Sequence, residues 1–193
     1  MNKSEILSAL EPLIEVFGKM GIDYYIGGSV ASSAFGLPRT TLDIDIVADV
    51  KANHAGGLAN ALKDEYYVDQ AMIADAAQNH SSFNLIHNLT CFKIDVFILK
   101  GRLFDKLSIM RKKEGILDAD FPEKHFFFAS PEDVIISKLE WFKMGGSVSE
   151  RQINDIKGII KVQGDKLDFD YLKNTANSLK LSDILVKVLN EQG

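Results

Sequence analysis

The stretch Thr41-Leu-Asp-Ile-Asp-Ile-Val47 decides the fold, because acidic and apolar residues alternate along it. Successive side chains of a β-strand point to opposite faces of the sheet. The even-numbered Leu and Ile residues therefore share a face that a core can bury. Asp43 and Asp45 share the opposite face, about 6 to 7 Å apart along the strand. The pattern predicts a strand that presents two carboxylates on its polar face.

A further acidic residue lies in a second strand-like run, Phe92-Lys-Ile-Asp-Val-Phe-Ile-Leu99. The aliphatic residues of this run alternate with Lys93 and Asp95. If the two strands are neighbours, Asp95 joins Asp43 and Asp45 on one face of the sheet. Three carboxylates repel one another, so this arrangement is costly without a cation. Oxygen ligands favour Mg²⁺ or Mn²⁺, and we expect these three residues to be the metal ligands.

A glycine segment upstream predicts a phosphate-binding turn. Residues 24–26 form a short strand-like run, and Gly27-Gly28-Ser29 then precedes a short helical run that extends to Phe35. Glycines let the backbone approach an anion closely, and the amides at a helix N-terminus favour phosphate. We therefore expect Gly27, Gly28 and Ser29 to contact a nucleotide. The segment matches neither Walker A nor GxGxxG.

Together these motifs resemble those of the polymerase-β-type nucleotidyltransferase superfamily. The order is Gly-Gly-Ser, then Arg39-Thr-Thr41, then Asp-x-Asp on a strand, then a later strand Asp. More narrowly, the chain resembles the small bacterial AbiEii-type nucleotidyltransferases, which include toxins of toxin–antitoxin pairs. The narrower resemblance also rests on Phe83–His87, Ser130–Asp133, Lys138-Leu139 and Ser149–Asp155. It extends over most of the chain, from about Tyr24 to Tyr171.

The resemblance implies a two-metal transfer of a nucleoside monophosphate from a nucleoside triphosphate to an acceptor hydroxyl, with pyrophosphate leaving. Asp43 and Asp45 then hold both ions. Asp95 completes the site of the ion that activates the acceptor hydroxyl, and it is also a candidate for accepting the hydroxyl proton. The implied acceptor is tRNA or a protein hydroxyl. A toxin role would add a cognate antitoxin as a partner.

The resemblance also implies a set of nucleotide-binding residues. Gly28 and Ser29 would cradle the β- and γ-phosphates. Arg39 and Lys138 are the candidate charge partners of those phosphates. Asp155 would face the same site.

The residues by themselves also allow simpler interpretations of this set. Lys138 flanks the apolar stripe of a helix that Ser130 can cap, and such a lysine is often only a solvated flank. Arg151 and Asp155 lie four residues apart on a predicted helix, which is the spacing of a weak surface ion pair. The four histidines show no metal-ligand spacing.

Three other functions stay open at this point. An Asp-x-Asp pair also serves sugar-nucleotide glycosyltransferases. A small-molecule nucleotidyltransferase, of the kind that adenylylates aminoglycosides, would need an acidic pocket for a cationic drug. A catalytically silent domain that binds a nucleotide or a partner would keep the fold without the reaction. Retention of all three carboxylates weighs against a silent domain.

Length and composition are those of an ordinary globular protein, with 193 residues, 46% hydrophobic and 25% charged. The succession of predicted strands and helices favours an α/β (α+β) nucleotidyltransferase fold, a mixed β-sheet flanked by helices. We expect a nucleotidyltransferase core over residues 1–128. A helical C-terminal part, residues 129–193, should pack on this core, with helices over 131–144, 149–162, 168–179 and 182–191.

Charge and cysteine content limit the possible partners and location. The net charge of −5 argues against a broad nucleic-acid-binding surface. The basic segment 100–113 is predicted to be a solvated loop, with an RNA contact strip as the alternative. Cys91 is the single cysteine, which excludes an intramolecular disulfide; we expect it to be buried and inert. No apolar run is long enough to span a bilayer, so we expect a soluble, cytoplasmic protein without a membrane partner.

Overall fold

The computed structural model describes residues 3–191 of the chain. Both ends of the predicted division into 1–128 and 129–193 extend beyond these residues, and that division stays a prediction. The strands are β1 Tyr24–Ile26, β2 Asp43–Ala48, β3 Tyr66–Tyr67, β4 Ser82–His87, β5 Lys93–Ile98, β6 Lys113–Ile116 and β7 His125–Phe128. The α-helices are α1 Glu5–Met20, α2 Gly28–Phe35, α3 Ala55–Leu62, α4 Gln70–Asn79, α5 Leu103–Arg111, α6 Pro131–Met144, α7 Glu150–Gln163, α8 Phe169–Ser178 and α9 Ser182–Asn190.

The described chain forms two compact units. The first comprises the residues up to Ile26 together with Thr41–Phe128, and it contains the whole sheet. The second comprises Gly27–Thr40 and the residues from Ala129 onward, and it contains α2 and α6 to α9. The helix that follows the glycine segment therefore belongs to the same unit as the C-terminal helices.

The sheet of the first unit has seven strands in the order β3-β4-β5-β2-β1-β7-β6. The pairs β2–β5 and β1–β7 are parallel, and the other neighbours are antiparallel. This confirms the predicted mixed sheet. Buried and partly exposed residues alternate along β2 and β5 as expected. The buried residues are Ile44, Ile46, Ala48, Ile94, Val96 and Ile98.

The first helix of this unit has a cap at each end. The Ser4 hydroxyl accepts a hydrogen bond from the Leu7 amide, and Gly21 closes the helix in the left-handed conformation at φ 65°. The Tyr66 hydroxyl of β3 donates to the Ala9 carbonyl of α1 at 2.7 Å, and it accepts from the Leu13 amide of α1 at 3.1 Å. The fully buried phenol thus attaches α1 to strand β3, next to Pro12.

The second unit is helical in the described residues. Helix α6 begins with Ser130 as N-cap, whose hydroxyl accepts from the Asp133 amide at 3.2 Å, and Pro131 occupies the first turn. The Tyr171 hydroxyl donates to Asp133 at 2.6 Å, which joins α8 to the start of α6. The predicted helices of this part are found with their ends shifted by at most a few residues.

Two predictions about the first unit are wrong. The basic segment is not a loop, because it contains α5 and the start of β6. The Asp105 carboxylate accepts from the Arg102 amide at 3.0 Å and starts α5, and the one-turn spacing of Phe104 and Ser108 buries one side of it. Cys91 is exposed rather than buried, since it lies in the turn between β4 and β5 with φ 57°.

No helix within residues 3–191 combines the length and the apolar character needed to cross a bilayer.

Candidate active site

The first unit places the three predicted metal ligands on one face of two neighbouring strands. Because β2 and β5 are parallel, Asp45 lies beside Asp95, and Asp43 lies beside Lys93. All three aspartates are partly exposed, and the Asp95 side chain is 20% accessible. Sequence periodicity put each carboxylate on the polar face of its strand, and the register of the sheet brings the two strands together. Their role as ligands stays a prediction.

Lys93 belongs to the same polar face, and its role was not predicted. Its Nζ lies 2.8 Å from Oδ2 of Asp95. The hydrogen bond to Asp95 raises the pKa of Lys93; burial opposes this shift, and the negative charges of Asp95, Asp43 and Asp45 reinforce it. The ammonium group is thus within electrostatic reach of all three carboxylates. The sequence signal was present, because Lys93 and Asp95 share a strand face.

The donor chemistry of this face fits a hard divalent cation. Carboxylate oxygens are the ligands that Mg²⁺ and Mn²⁺ prefer. The carboxylates are directed to other partners, however: Asp43 accepts from the Thr41 hydroxyl at 2.9 Å, and Asp95 accepts from Lys93. Among residues 3–191, no three His, Cys, Asp or Glu side chains are gathered to hold an ion. Side-chain rotation would have to bring the aspartates together.

The second unit contains a separate polar cluster, centred on Asp155 of α7. Arg39 binds this carboxylate with two hydrogen bonds, Nε to Oδ1 at 2.9 Å and Nη2 to Oδ2 at 3.0 Å. Lys138 of α6 binds Oδ2 at 2.6 Å. The side chains of Asp155 and Lys138 are 7% and 6% accessible, and that of Arg39 is 24% accessible. One carboxylate therefore holds two cationic side chains in a fixed, mostly buried geometry.

The protonation of Asp155 follows from these contacts. Burial by itself raises the pKa of a carboxyl group, because it penalises the charged form. The hydrogen bonds and charges of Arg39 and Lys138 outweigh this effect, so the pKa of Asp155 is lowered. The carboxylate stays ionised at neutral pH, and the three groups together carry a net charge of +1.

Two simpler interpretations of these residues are wrong. Asp155 is not one half of a surface pair with Arg151, because its carboxylate lies among Arg39 and Lys138 while Arg151 is exposed. The helical period explains this, since Asp155 shares a stripe of α7 with the buried Ile156 and Ile159. Lys138 is not a solvated flank of α6, because it is buried together with the apolar residues of that helix.

The glycine segment lies beside this cluster in the second unit. Gly27 is the N-cap of α2, and Gly28 adopts φ 53°, a conformation that favours glycine. The Ser29 hydroxyl accepts a hydrogen bond from the Arg39 guanidinium. The Arg39 amide in turn donates to the Ser33 hydroxyl at 3.3 Å. The structure thus brings together Ser29, Arg39, Lys138 and Asp155, four of the six predicted nucleotide-binding residues.

Two small residues that the sequence reasoning missed hold the segment with Arg39 against α7. A Cβ on Gly36 would lie 2.9 Å from the Ile159 amide nitrogen and from the Ser32 carbonyl oxygen. A Cβ on Gly158 would lie 3.2 Å from the Leu37 amide nitrogen. The close packing of α2 and its following segment on α7 therefore depends on glycine. A lone glycine after a predicted helix signals only a helix end, so the sequence did not reveal this contact.

Comparison with known proteins identifies the fold. No protein-family profile matches the chain, and no curated protein does. Among solved structures, the chain resembles ANT(2'')-Ia in complex with adenylyl-2''-tobramycin (TM-score 0.59, 11% identity, 92% of this chain and 99% of that one). It also resembles an antigenic nucleotidyltransferase-like protein from Paracoccidioides brasiliensis (TM-score 0.56, 19% identity, 97% and 94%). The lincosamide antibiotic adenylyltransferase LnuA with bound lincomycin is similar too (TM-score 0.50, 17% identity, 84% and 99%).

Two of these structures are by name an adenylyltransferase and a nucleotidyltransferase-like protein, and all three match this chain over nearly their whole length. The chain therefore has the nucleotidyltransferase fold that its motifs predicted.

Proposed function

We propose that this protein is a metal-dependent nucleotidyltransferase that moves a nucleoside monophosphate from a nucleoside triphosphate to an acceptor hydroxyl. The observation that carries the proposal is the register of β2 and β5, which aligns Asp45 with Asp95 and keeps Asp43 on the same face. A polar face with three carboxylates on adjacent strands is costly for the fold alone. Within a nucleotidyltransferase fold, its chemistry suits divalent ions.

The three carboxylates have distinct roles in this proposal. Asp43 and Asp45 bind both Mg²⁺ or Mn²⁺ ions, and Asp95 completes the site on the acceptor side. When bound, such ions stabilise charge on the attacking and leaving oxygens of an in-line displacement. Asp95 also accepts the proton of the acceptor hydroxyl, for which its partial exposure leaves room.

The cluster of the second unit is the proposed binding site for phosphate oxygens of the nucleotide. The first amides of a helix have no partner in its own ladder, so the Gly27-Gly28-Ser29 segment at the start of α2 is suited to phosphate oxygens. Arg39 and Lys138 add positive charge, and Asp155 holds both side chains in place. The net charge of +1 on these three groups favours an anion.

For the acceptor we favour a tRNA or protein hydroxyl in the cytoplasm, with the protein acting as a toxin that a cognate antitoxin neutralises. The motif resemblance to AbiEii-type enzymes supports this choice. A neighbouring gene for a small DNA-binding antitoxin would support it further, and an isolated gene would count against it.

A small-molecule acceptor is the second candidate. The structures that resemble this chain over nearly their full length include LnuA with lincomycin and ANT(2'')-Ia with an adenylylated tobramycin. Those ligands belong to those proteins, and the 11–17% identity shows only the fold. The candidate is worth testing because a chain of this size and fold suffices for that chemistry in those enzymes.

The test is incubation of the full chain with each α-labelled nucleoside triphosphate and Mg²⁺ or Mn²⁺. The acceptor pool is a cell extract in one arm and a panel of aminoglycosides and lincosamides in the other. Asp43→Asn is the inactive variant, and Asp49→Asn is the matched control, because Asp49 lies just beyond β2 and pairs with Lys51. Label that reaches RNA or protein supports the favoured acceptor, and label on a drug supports the second candidate. Metal-dependent nucleotide binding without transfer would indicate a silent domain.

A further inference from the structure

We propose that Lys93 is an internal counter-cation of the carboxylate face and that it competes with a divalent ion for Asp95. The inference rests on the proposed function, since it assigns a positioning role beside the metal site. It concerns a residue that neither the motifs nor the comparisons single out.

Lys93 and the three aspartates occupy neighbouring positions on the sheet. Lys93 precedes Asp95 by two residues on β5, so both side chains leave the same face of the strand. In the register of the parallel pair, Lys93 lies beside Asp43, while Asp95 lies beside Asp45. The backbone position of Lys93 is therefore one of four neighbouring positions on this face, and the other three are aspartates. The Lys93 ammonium makes a direct contact with one of them, at 2.8 Å from Oδ2 of Asp95.

Lys93 contacts a carboxylate although its side chain has access to solvent. The Lys93 side chain is 46% accessible, so it can extend into water without any protein contact. It instead folds back onto the neighbouring carboxylate of its own strand. Three nearby negative charges provide a reason, because one cation reduces their mutual repulsion. The fold is therefore not left with a net charge of −3 on this face.

Two of the three carboxylates are turned toward other partners. Within residues 3–191 no three acidic, His or Cys side chains are gathered for a metal ion. On this face, Asp95 is held by Lys93 and Asp43 by the Thr41 hydroxyl. An ion that binds all three aspartates competes with Lys93 for the Asp95 carboxylate. Lys93 therefore stabilises the metal-free protein and opposes metal binding.

The experiment compares the wild-type chain with Lys93→Met, Lys93→Arg and Lys51→Met. Lys51→Met is the matched control, because Lys51 also pairs with an aspartate, at 3.3 Å from Asp49, just beyond β2. Mn²⁺ affinity is measured by titration calorimetry or electron paramagnetic resonance without nucleotide. Melting temperature is measured in a chelator and in saturating Mn²⁺, so neither readout depends on activity.

Loss of the positive charge should raise Mn²⁺ affinity about tenfold in Lys93→Met. The same variant should melt at a lower temperature than wild type in chelator, and its stabilisation by Mn²⁺ should be larger. Lys93→Arg keeps the charge and should restore both properties toward wild type, and Lys51→Met should change neither. A merely structural role for Lys93 would not make metal binding tighter.

Equal or weaker Mn²⁺ binding in Lys93→Met, with wild-type binding intact, would overturn this inference and leave the proposed function standing. Failure of the wild type itself to bind Mn²⁺ or Mg²⁺, with or without nucleotide, would overturn both. If Lys93→Met does not fold, the Lys93→Gln variant replaces it in the same measurements with the same criteria.

Discussion

The two polar clusters of this protein differ in how their charges are balanced. In the first unit, three partly exposed carboxylates share one strand face with a single lysine, and they are not gathered around a common point. In the second unit, Asp155 is buried with two cationic partners and fixed by three hydrogen bonds from their side chains. The first cluster has an excess of negative charge, and the second has a small excess of positive charge.

This difference shows what each cluster can do. A face with unbalanced, accessible charge gains from a ligand of opposite sign, and removal of one charge should affect that ligand more than the fold. A buried cluster of paired charges is part of the folded structure, and removal of one member leaves other charges buried without compensation. The first cluster should therefore be sensitive in activity, and the second should be sensitive in stability.

The largest effect is expected for Asp45→Asn in the first cluster. Nucleotidyl transfer should fall about a thousandfold or more, because the variant removes negative charge from the proposed metal site. The melting temperature should change little, because Asp45 lies on a partly exposed face. Single-turnover label transfer and thermal unfolding check the two parts. Asp49→Asn, just beyond the same strand, should keep full activity, and an active Asp45→Asn enzyme would refute the assigned site.

Asp155→Ala should have the largest effect on stability. It removes the shared partner of Arg39 and Lys138, and the cost of breaking a buried ion pair is about 3 kcal/mol. Urea unfolding measures this change. Arg151→Ala serves as the control, because Arg151 is exposed on the same helix, and it should stay within about 0.5 kcal/mol of wild type. Equal effects of the two variants would mean that Asp155 is not a buried anchor.

Gly36→Ala should weaken the second unit by a smaller amount, about 1 to 3 kcal/mol. The added Cβ would lie 2.9 Å from two backbone atoms, so the segment that leads to Arg39 must shift. Gly18→Ala is the matched control in the first unit, since a Cβ there meets nothing within 4 Å and alanine favours the interior of α1. Chemical denaturation should show a lower free energy of unfolding for Gly36→Ala and a higher one for Gly18→Ala than for wild type.

The smallest expected effect is the pH dependence of the stability difference between wild type and the Asp155→Asn variant. The pKa of Asp155 in the folded protein lies below its ordinary value of 3.8. Its stabilising contribution is therefore complete above that value and is lost as the pH falls below it toward the folded pKa. The stability difference between wild type and Asp155→Asn should be constant from about pH 7 to 5 and shrink below about pH 4. A difference that grows on acidification would contradict the lowered pKa.

Much of the fold followed from local patterns. Helix α6 is found over the predicted residues, because Ser130, Pro131 and an apolar stripe specify its start and its buried side. Helix α5 and strands β6 and β7 were missed because these runs are short, and because β6 and β7 form by pairing with each other. Cys91 was wrongly predicted to be buried, because its position in a turn exposes it despite the usual burial of cysteine.

The residues of the candidate site were also predicted only in part. Alternation along β2 and β5 was enough to put Asp43, Asp45 and Asp95 on polar strand faces. It did not show that Lys93 folds back onto Asp95, because a strand pattern gives the face of a side chain and not its rotamer. The partners of Asp155 were also beyond local patterns, since Arg39 lies 116 residues away in the chain.

The sequence by itself determined the periodic elements, the acidic strand faces and the glycine-marked helix start, because each depends on residues that are close in the chain. The tertiary structure decided the register that aligns Asp45 with Asp95 and the choice of Arg39 and Lys138 as partners of Asp155. The physical reason is that charges interact through space. A carboxylate pairs with the nearest cation that the fold brings within a few ångströms, wherever that cation lies in the sequence.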